Sequence, residues 1–417
     1  MRGNLHGVRV LDLTDEPGFF TGKLLGDLGA DVVKVEPPAG DAARRRAPFW
    51  GGTPDPERAL GWLALNTSKR GITLDVDRPA GRDLFLQLAA GADVVLETAV
   101  PGRMQARGLG WDALHARNPR LILCSITPFG QTGPYAGWRG SDLTVVAMSG
   151  NLWCTGDADR APVRCAMPVS HYHAGIEAAV GVVFALLARR RTGEGQHVDV
   201  ALHEAMVAPN VGTGAMAAMS TKFRGQRSGA AIRLGESTQR EIWPCKDGWV
   251  SFAMRGGPAR IPGLVAMVQY MTEHGMASPA LQAKDWKTYN HNLLTQVDAD
   301  ALGAEFGAFF LTKTMAELYK AAVERTLMLA PANTAREIVA SEQLAARGFI
   351  VDVEHPGRGT LRFAGPVARS TSKDPAATAI GIRRPAPRLG EHTAEVLAEV
   401  GVGGDALARL RADGVIA

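Results

Sequence analysis

A chain of 417 residues is longer than one ordinary hydrophobic core, so two domains are expected. Its 46% apolar and 21% charged residues describe a globular protein and exclude a disordered one. The net charge of +4 is small for this length; it gives no reason to expect nucleic acid and fits a small anionic ligand.

The first two hundred residues alternate short apolar strands with helices. "VRVLDL" (8–13) reads as a strand and "GFFTGKLLGDLGA" (18–30) as a helix with apolar residues at helical spacing. "DVVKVE" (31–36) is a second strand, stopped by Pro37 and Pro38, which cannot continue a ladder. "ITLDV" (72–76) is expected to be a strand, and "PAGRDLFLQLAAGA" (79–92) a helix with proline in its first turn. There follow a strand over "DVVLET" (93–98), a helix over "GWDALHARNP" (110–119) and a strand over "RLILCSIT" (120–127). Strands of this length separated by helices predict a parallel sheet covered on both faces. Such sheets bind ligands beyond the carboxyl ends of their strands.

That rule selects the loops "TDEPGFF", "PPAGDAARRR", "TAVPGRMQARG" and "PFGQTGPYAGWRGSD". Ordinary turns with a solvated basic surface explain such a composition. A phosphate-bearing ligand explains it as well, because the arginine fork matches phosphate geometry. No GxGxxG follows the first strand and no GxxxxGK[ST] occurs, which disfavours the usual dinucleotide and nucleoside-triphosphate sites.

From about residue 203 the pattern changes. Residues 203–224 are expected to be a linker, and "RGQRSGAAIRLGE" (224–236) a glycine-rich loop able to serve as a flap. "REIWPCKDGWVSFAM" reads as two strands around Lys246, Asp247 and Gly248, and residues 258–345 as mainly helical. "GFIVDVEHPGRGTLRFAGPVA" (348–368) returns to strands, and "RPAPRLGEHTAEVLAEVG" is a loop running into a helix. Cys124, Cys154, Cys165 and Cys245 lie far apart without CxxC spacing, so neither a thiolate metal site nor a disulfide framework is expected. No apolar run is expected to reach membrane-spanning length; the longest, Ala178 to Ala188, is flanked by Arg189, Arg190 and Arg191 and reads as a core helix. A cytoplasmic enzyme or binding protein, without metal, is the working class.

In this order, "GVRVLDLT", "LLGDLGADVVKVEPPAGDAAR", "NTSKRGITLDV", "ADVVLET", "NPRLILCSITPFGQTGPY", "DLTVVAMSG", "ALLARRRTGEGQHVDVAL" and "RPAPRLGEHTAEVL" resemble the family III CoA-transferases. That family includes formyl-CoA transferase, carnitine CoA-transferase and the alpha-methylacyl-CoA racemases. The resemblance implies an α/β fold: a Rossmann-like large domain (1–202 and 330–417) with a parallel sheet, and a smaller inserted α+β domain (225–329). It also implies an interlocked dimer, either a homodimer or a heterodimer with a paralogous subunit. The implied ligands are coenzyme A, as its acyl-CoA thioesters, and carboxylic acids; neither nucleic acid nor a membrane is implied. By position, Arg44, Lys69, Arg70 and Arg139 fall on the family's CoA-contacting basic residues. Two positions depart from its pattern: Thr98 stands where an Asn is common, and Ala106 where an Arg is expected, with Arg103 and Arg107 adjacent to substitute.

The sharpest departure lies in "MPVSHYHAG". In the family a "P-x-x-D" turn opens the helix before "ALLxRxxTGxGQ", and its Asp is the catalytic carboxylate; here that place holds His171. The racemases add a His just before an Asp, where this chain has Ser141 before Asp142. A carboxylate can attack a thioester and then carry CoA on its own carbonyl carbon. An imidazole has no such carbon, but it can serve as a base near neutral pH. Three roles therefore stand for this chain. It is a subunit whose paralogous partner supplies the Asp, an enzyme using His171 as a base with His173 and Asp142 as helpers, or a protein whose histidines are structural.

Overall fold

A computed structural model describes residues 2–210, 227–356, 359–375 and 377–417. The chain divides into two compact units, one of Met1–Ser149, Cys165–Val211 and Gln343–Ala417, the other of Gly150–Arg164 and Gly212–Glu342.

The first unit is built on six parallel strands: β1 (Arg9–Asp12), β2 (Asp31–Glu36), β3 (Lys69–Thr73), β4 (Val94–Glu97), β5 (Ile122–Thr127) and β6 (His197–Ala201). Their order across the sheet is β3-β2-β1-β4-β5-β6. The order reverses between β1 and β4, so a crevice opens beyond their carboxyl ends. β1, β2, β4 and β5 are buried on both faces, which is why they read as largely apolar runs. Two strands differ from expectation. β3 covers Lys69–Thr73 and not 72–76, because buried ion pairs admit Lys69 and Arg70 into the ladder. β6 was hidden by the polar residues His197 and Asp199, which its half-covered edge position tolerates.

The longest helix, Val169–Thr192, packs against the helix Phe19–Asp27 and against β5 and β6. Gly175 makes the helix crossing close: a Cβ there would stand 3.2 Å from the Cβ of Phe20. By length and composition this helix is apolar enough to cross a membrane, contrary to the expectation that no run reaches that length. Its alanines and glycines make it so, and Ala174, Ala178, Ala179, Val182 and Ala185 are buried in the unit. Ile176, Val180, Phe184 and Leu187 form an exposed apolar stripe on its other face.

The second unit carries the hairpin β7 (Ala231–Leu234) and β8 (Ser237–Arg240), and the antiparallel sheet of β9 (Ile242–Pro244), β10 (Trp249–Phe252) and β11 (Leu329–Pro331). Helices Ile261–Glu273, Gln296–Phe310 and Met315–Arg325 pack on a core that includes Trp243, Phe252, Met267, Phe306 and Phe310. The expected flap loop is therefore a β-hairpin over 231–240; its residues 224–226 lie outside the described residues. Of the expected linker 203–224, residues 203–207 are helical and 208–210 form a 3-10 turn, while 211–224 also lie outside the described residues. β12 (Ile350–His355) and β13 (Gly359–Ala364) pair as a hairpin in the first unit.

Candidate active site

His171 is the third residue of the long helix, after Pro168 at its cap. Asp142 fixes this helix start: one of its carboxylate oxygens accepts from the Ser170 backbone N–H (2.9 Å) and from the Ser170 hydroxyl (2.7 Å). Ser141 caps the preceding helix Asp142–Met148 in a reciprocal bond pair with Thr144. Both residues of the "SD" pair therefore hold helix starts, and the carboxylate reaches His171 only as a nearby charge.

The imidazole lines a cavity of about 230 Å³ together with Glu16, Phe19, Phe20, Arg46, Trp62 and Tyr172. Its aromatic walls are locked edge to face, Phe19 on Trp62 at 5.5 Å and Phe20 on Tyr172 at 5.3 Å. Arg46 and Glu16 form an ion pair at this cavity. The Nδ1 of His171 is buried and has no hydrogen-bond partner among the described residues. Burial pushes its pKa below the ordinary histidine value, and this outweighs the opposing pull of Glu16, Asp142 and Asp15. The ring is thus neutral at pH 7, with a lone pair available to take a proton. His173, two residues on and so on the opposite side of the helix, is exposed.

A titration of histidine ring resonances in the intact protein should place the His171 midpoint below 6.5. The same shift links to stability. Between the lowered value and 6.5 the unfolded chain binds the proton and the folded one does not, so stability falls as pH drops through that window. A midpoint at or above 6.5 would place His171 in open solvent or against a bound carboxylate.

Beyond the ends of β1 and β4 the Asp15 backbone N–H donates to the Thr98 hydroxyl oxygen at 2.9 Å. Thr98 thus serves the scaffold at a place where the family commonly has Asn. A second cavity of about 220 Å³ opens beside it, lined by Thr14, Lys34, Asp75, Asp77, Glu97 and Arg107 among others.

The basic residues singled out from sequence divide into two groups. Arg44 is fully buried: its guanidinium pairs with both oxygens of Glu36 (2.6 and 2.8 Å), donates to the Pro387 carbonyl oxygen at 3.1 Å, and lies 3.9 Å from the Trp62 ring. Lys69 is equally buried and donates to Asp12 (2.8 Å), the Phe19 carbonyl oxygen (3.0 Å) and Asn66 (2.8 Å). Burial draws its pKa down to about 8, against the pull of Asp12. Arg70 is held by Asp31, Glu395 and Glu399. These three spend their donors inside the chain, which differs from the free phosphate-facing donors that the resemblance implies. Arg139 and Arg103 are exposed; Arg103 stands 3.6 Å from Asp77, while Arg107 pairs with both oxygens of Asp77. Among the described residues no cluster of His, Cys, Asp or Glu is arranged to hold a metal.

Sequence reading did not name Glu16, Arg46, Trp62 or Tyr172. The carboxyl-end rule had selected the loops of the first two, "TDEPGFF" and "PPAGDAARRR", but not the side chains that turn toward His171.

An open parallel sheet whose order reverses at its centre, with a small cavity at the start of its longest helix, defines an α/β protein of the doubly wound class. Residues 5–393 match CoA-transferase family III, and the chain belongs to that family. It is 34% identical over 411 residues to the succinyl-CoA:(R)-benzylsuccinate CoA-transferase subunit BbsE of Thauera aromatica, covering 94% of this chain and 93% of that one. It is 33% identical over 420 residues to the succinyl-CoA–D-citramalate CoA-transferase of Chloroflexus aurantiacus, with 99% and 98% covered. A solved CaiB/BaiF family protein from Brucella suis matches with a TM-score of 0.82 at 28% identity, over 96% of this chain and all of that one.

Proposed function

We propose that this chain binds acyl-CoA thioesters at the His171 cavity and takes part in CoA transfer as one chain of an assembly whose partner supplies the nucleophilic carboxylate. The observation that carries this reading is that His171, an imidazole, lines the cavity; on this reading transfer needs an acyl carbon at that place, which an imidazole lacks. Pairing is supported by the exposed stripe Ile176, Val180, Phe184 and Leu187 on the helix that begins at this site, since four large apolar side chains in one row favour a protein partner. Relatives named as subunits support it too: BbsE, and the succinyl-CoA–L-malate CoA-transferase alpha subunit of Chloroflexus aurantiacus. Arg103 and Arg139 are the donors we assign to the CoA phosphates. Arg44, Lys69 and Arg70 hold the strands and loops that carry the site. A cytoplasmic location belongs to this reading.

The test is purification from the native source, followed by incubation with acyl-CoA and trapping with hydroxylamine. A stoichiometric paralogue that carries the aspartate, and on which alone hydroxylamine releases CoA and leaves an aspartyl hydroxamate, is the expected result. A lone homodimer that turns over, with activity abolished by His171→Ala, would replace this reading with base catalysis by His171. That second reading is favoured by the neutral, unpartnered Nδ1. Absence of any CoA binding in either form would remove both.

A further inference from the structure

We propose that Arg46 is the acyl-specificity residue of the His171 cavity, and that it receives a second carboxylate on the acyl chain of the bound thioester in exchange for Glu16. The inference rests on the acyl-CoA reading above and adds the substrate class: half-thioesters of short dicarboxylic acids. The cavity is small, about 230 Å³, below the roughly 300 Å³ at which ordinary ligand pockets begin, so it admits only a short chain. Its walls are the rings of Phe19, Phe20, Trp62 and Tyr172, with Leu65 and Pro48. A neutral acyl chain meets only rings and aliphatic groups there, so the apolar walls read its length and shape and nothing of its polarity.

One charged pair breaks this apolar lining. Arg46 and Glu16 both line the cavity that His171 enters, and they are in direct contact. The pair differs from the contacts of two buried arginines in this unit. Arg44 is clamped by Glu36, Glu57 and a backbone carbonyl, and Arg70 by three carboxylates, so both are immobile parts of the frame. Arg46 is held in this structure by Glu16, and its side chain is 66% exposed against 32% for Glu16. Glu16 opens a 3-10 turn after β1, and its side chain is partly exposed to solvent. A guanidinium that already binds one carboxylate on a cavity wall is built to bind another of the same geometry. Exchanging Glu16 for a substrate carboxylate conserves the number of ion pairs, and it leaves Glu16 free to turn into solvent. A substrate lacking the second carboxylate leaves the pair closed. The discrimination therefore arises from the opening of this pair.

The test measures dissociation constants for CoA, succinyl-CoA and butyryl-CoA on the protein as purified from its source, with any chain that accompanies it. The variants are Arg46→Gln and Glu16→Gln. The expected result is a wild-type preference for succinyl-CoA over butyryl-CoA of about tenfold or more. Arg46→Gln should bring that ratio close to one, and Glu16→Gln should raise it, because the internal competitor is gone. If CoA binds but the wild type does not separate the two esters, the acyl-CoA reading stands and the Arg46 assignment falls. A ratio that survives Arg46→Gln likewise overturns the assignment. Failure of all three ligands to bind overturns the reading beneath it.

Discussion

Replacing Asp12 with alanine is expected to cost the first unit about 3–5 kcal/mol of stability, the usual penalty for breaking a buried ion pair from one side. Asp12 is fully buried at the end of β1. One of its carboxylate oxygens accepts from the Thr14 backbone N–H (3.0 Å) and hydroxyl (2.6 Å), and the other from Lys69 at 2.8 Å. Lys34 stands 3.9 Å away and is buried as well. Two ammonium groups thus share one carboxylate in the core, and its removal leaves both uncompensated. Gly22 shows how tightly the pair is enclosed: a Cβ there would come within 2.3 Å of the Asp12 carboxylate and 2.9 Å of the Lys69 nitrogen. Urea unfolding at pH 7 measures the loss, and Asp12→Ala combined with Lys69→Met should recover part of it, because the stranded charge then disappears. A single variant as stable as wild type would show that the pair is not closed from water.

The pH dependence of this cluster runs in one direction, through two separate windows. Asp12 is held below its ordinary value: burial raises it, but Lys69 and Lys34 together outweigh burial. The stability it contributes is present above the unfolded carboxylate value and is lost as pH falls through the folded one. Lys69 is drawn down to about 8, so between that value and 10.5 the unfolded chain holds a proton that the folded chain has released. Stability attributable to Lys69 therefore rises as pH climbs through this window.

The same cluster explains what the sequence could and could not disclose. β2 and β5 were legible because a doubly covered strand must be apolar, and "DVVKVE" and "RLILCSIT" nearly are. β3 was misplaced by three residues because "KR" looks like a solvated turn unless the partners Asp12 and Asp31 are already known to be adjacent, and those partners come from other strands. Arg44 was legible only in part. A basic residue in a loop at the sheet's carboxyl end reads as a ligand donor, and its contacts with Glu36, Glu57 and the Pro387 carbonyl, up to 343 residues apart in the chain, could not be foreseen. His171 was legible because one ordered motif fixes its place at a helix start. The cavity around it was not, since Glu16, Arg46, Trp62 and Tyr172 come from four separate segments that only the closed fold brings together.

Substituting His171 with aspartate is expected to give a protein that carries CoA covalently, which the wild-type chain cannot do. Position 171 lies in the first turn of a 24-residue helix, where the helix dipole favours an anion by about 0.3–1 kcal/mol. The shorter side chain fits the space of the imidazole without displacing Tyr172 or Phe20. With acyl-CoA bound, the new carboxylate oxygen attacks the thioester carbonyl carbon, the C–S bond breaks and CoA leaves as its thiolate. The thiolate then attacks the aspartyl carbonyl of the resulting anhydride, the acid departs as a carboxylate, and CoA remains on the protein as an aspartyl thioester. The wild-type imidazole stops at the first stage, since an acyl-imidazole offers no protein carbon to which CoA can transfer. Intact-protein mass spectrometry should therefore find a CoA adduct on His171→Asp that hydroxylamine removes. No adduct should form on His171→Asn, which matches the aspartate in size but lacks the nucleophile. An aspartate variant that binds acyl-CoA as the wild type does, yet never becomes labelled, would mean that residue 171 faces away from the thioester and that a different side chain marks the reacting end of the cavity.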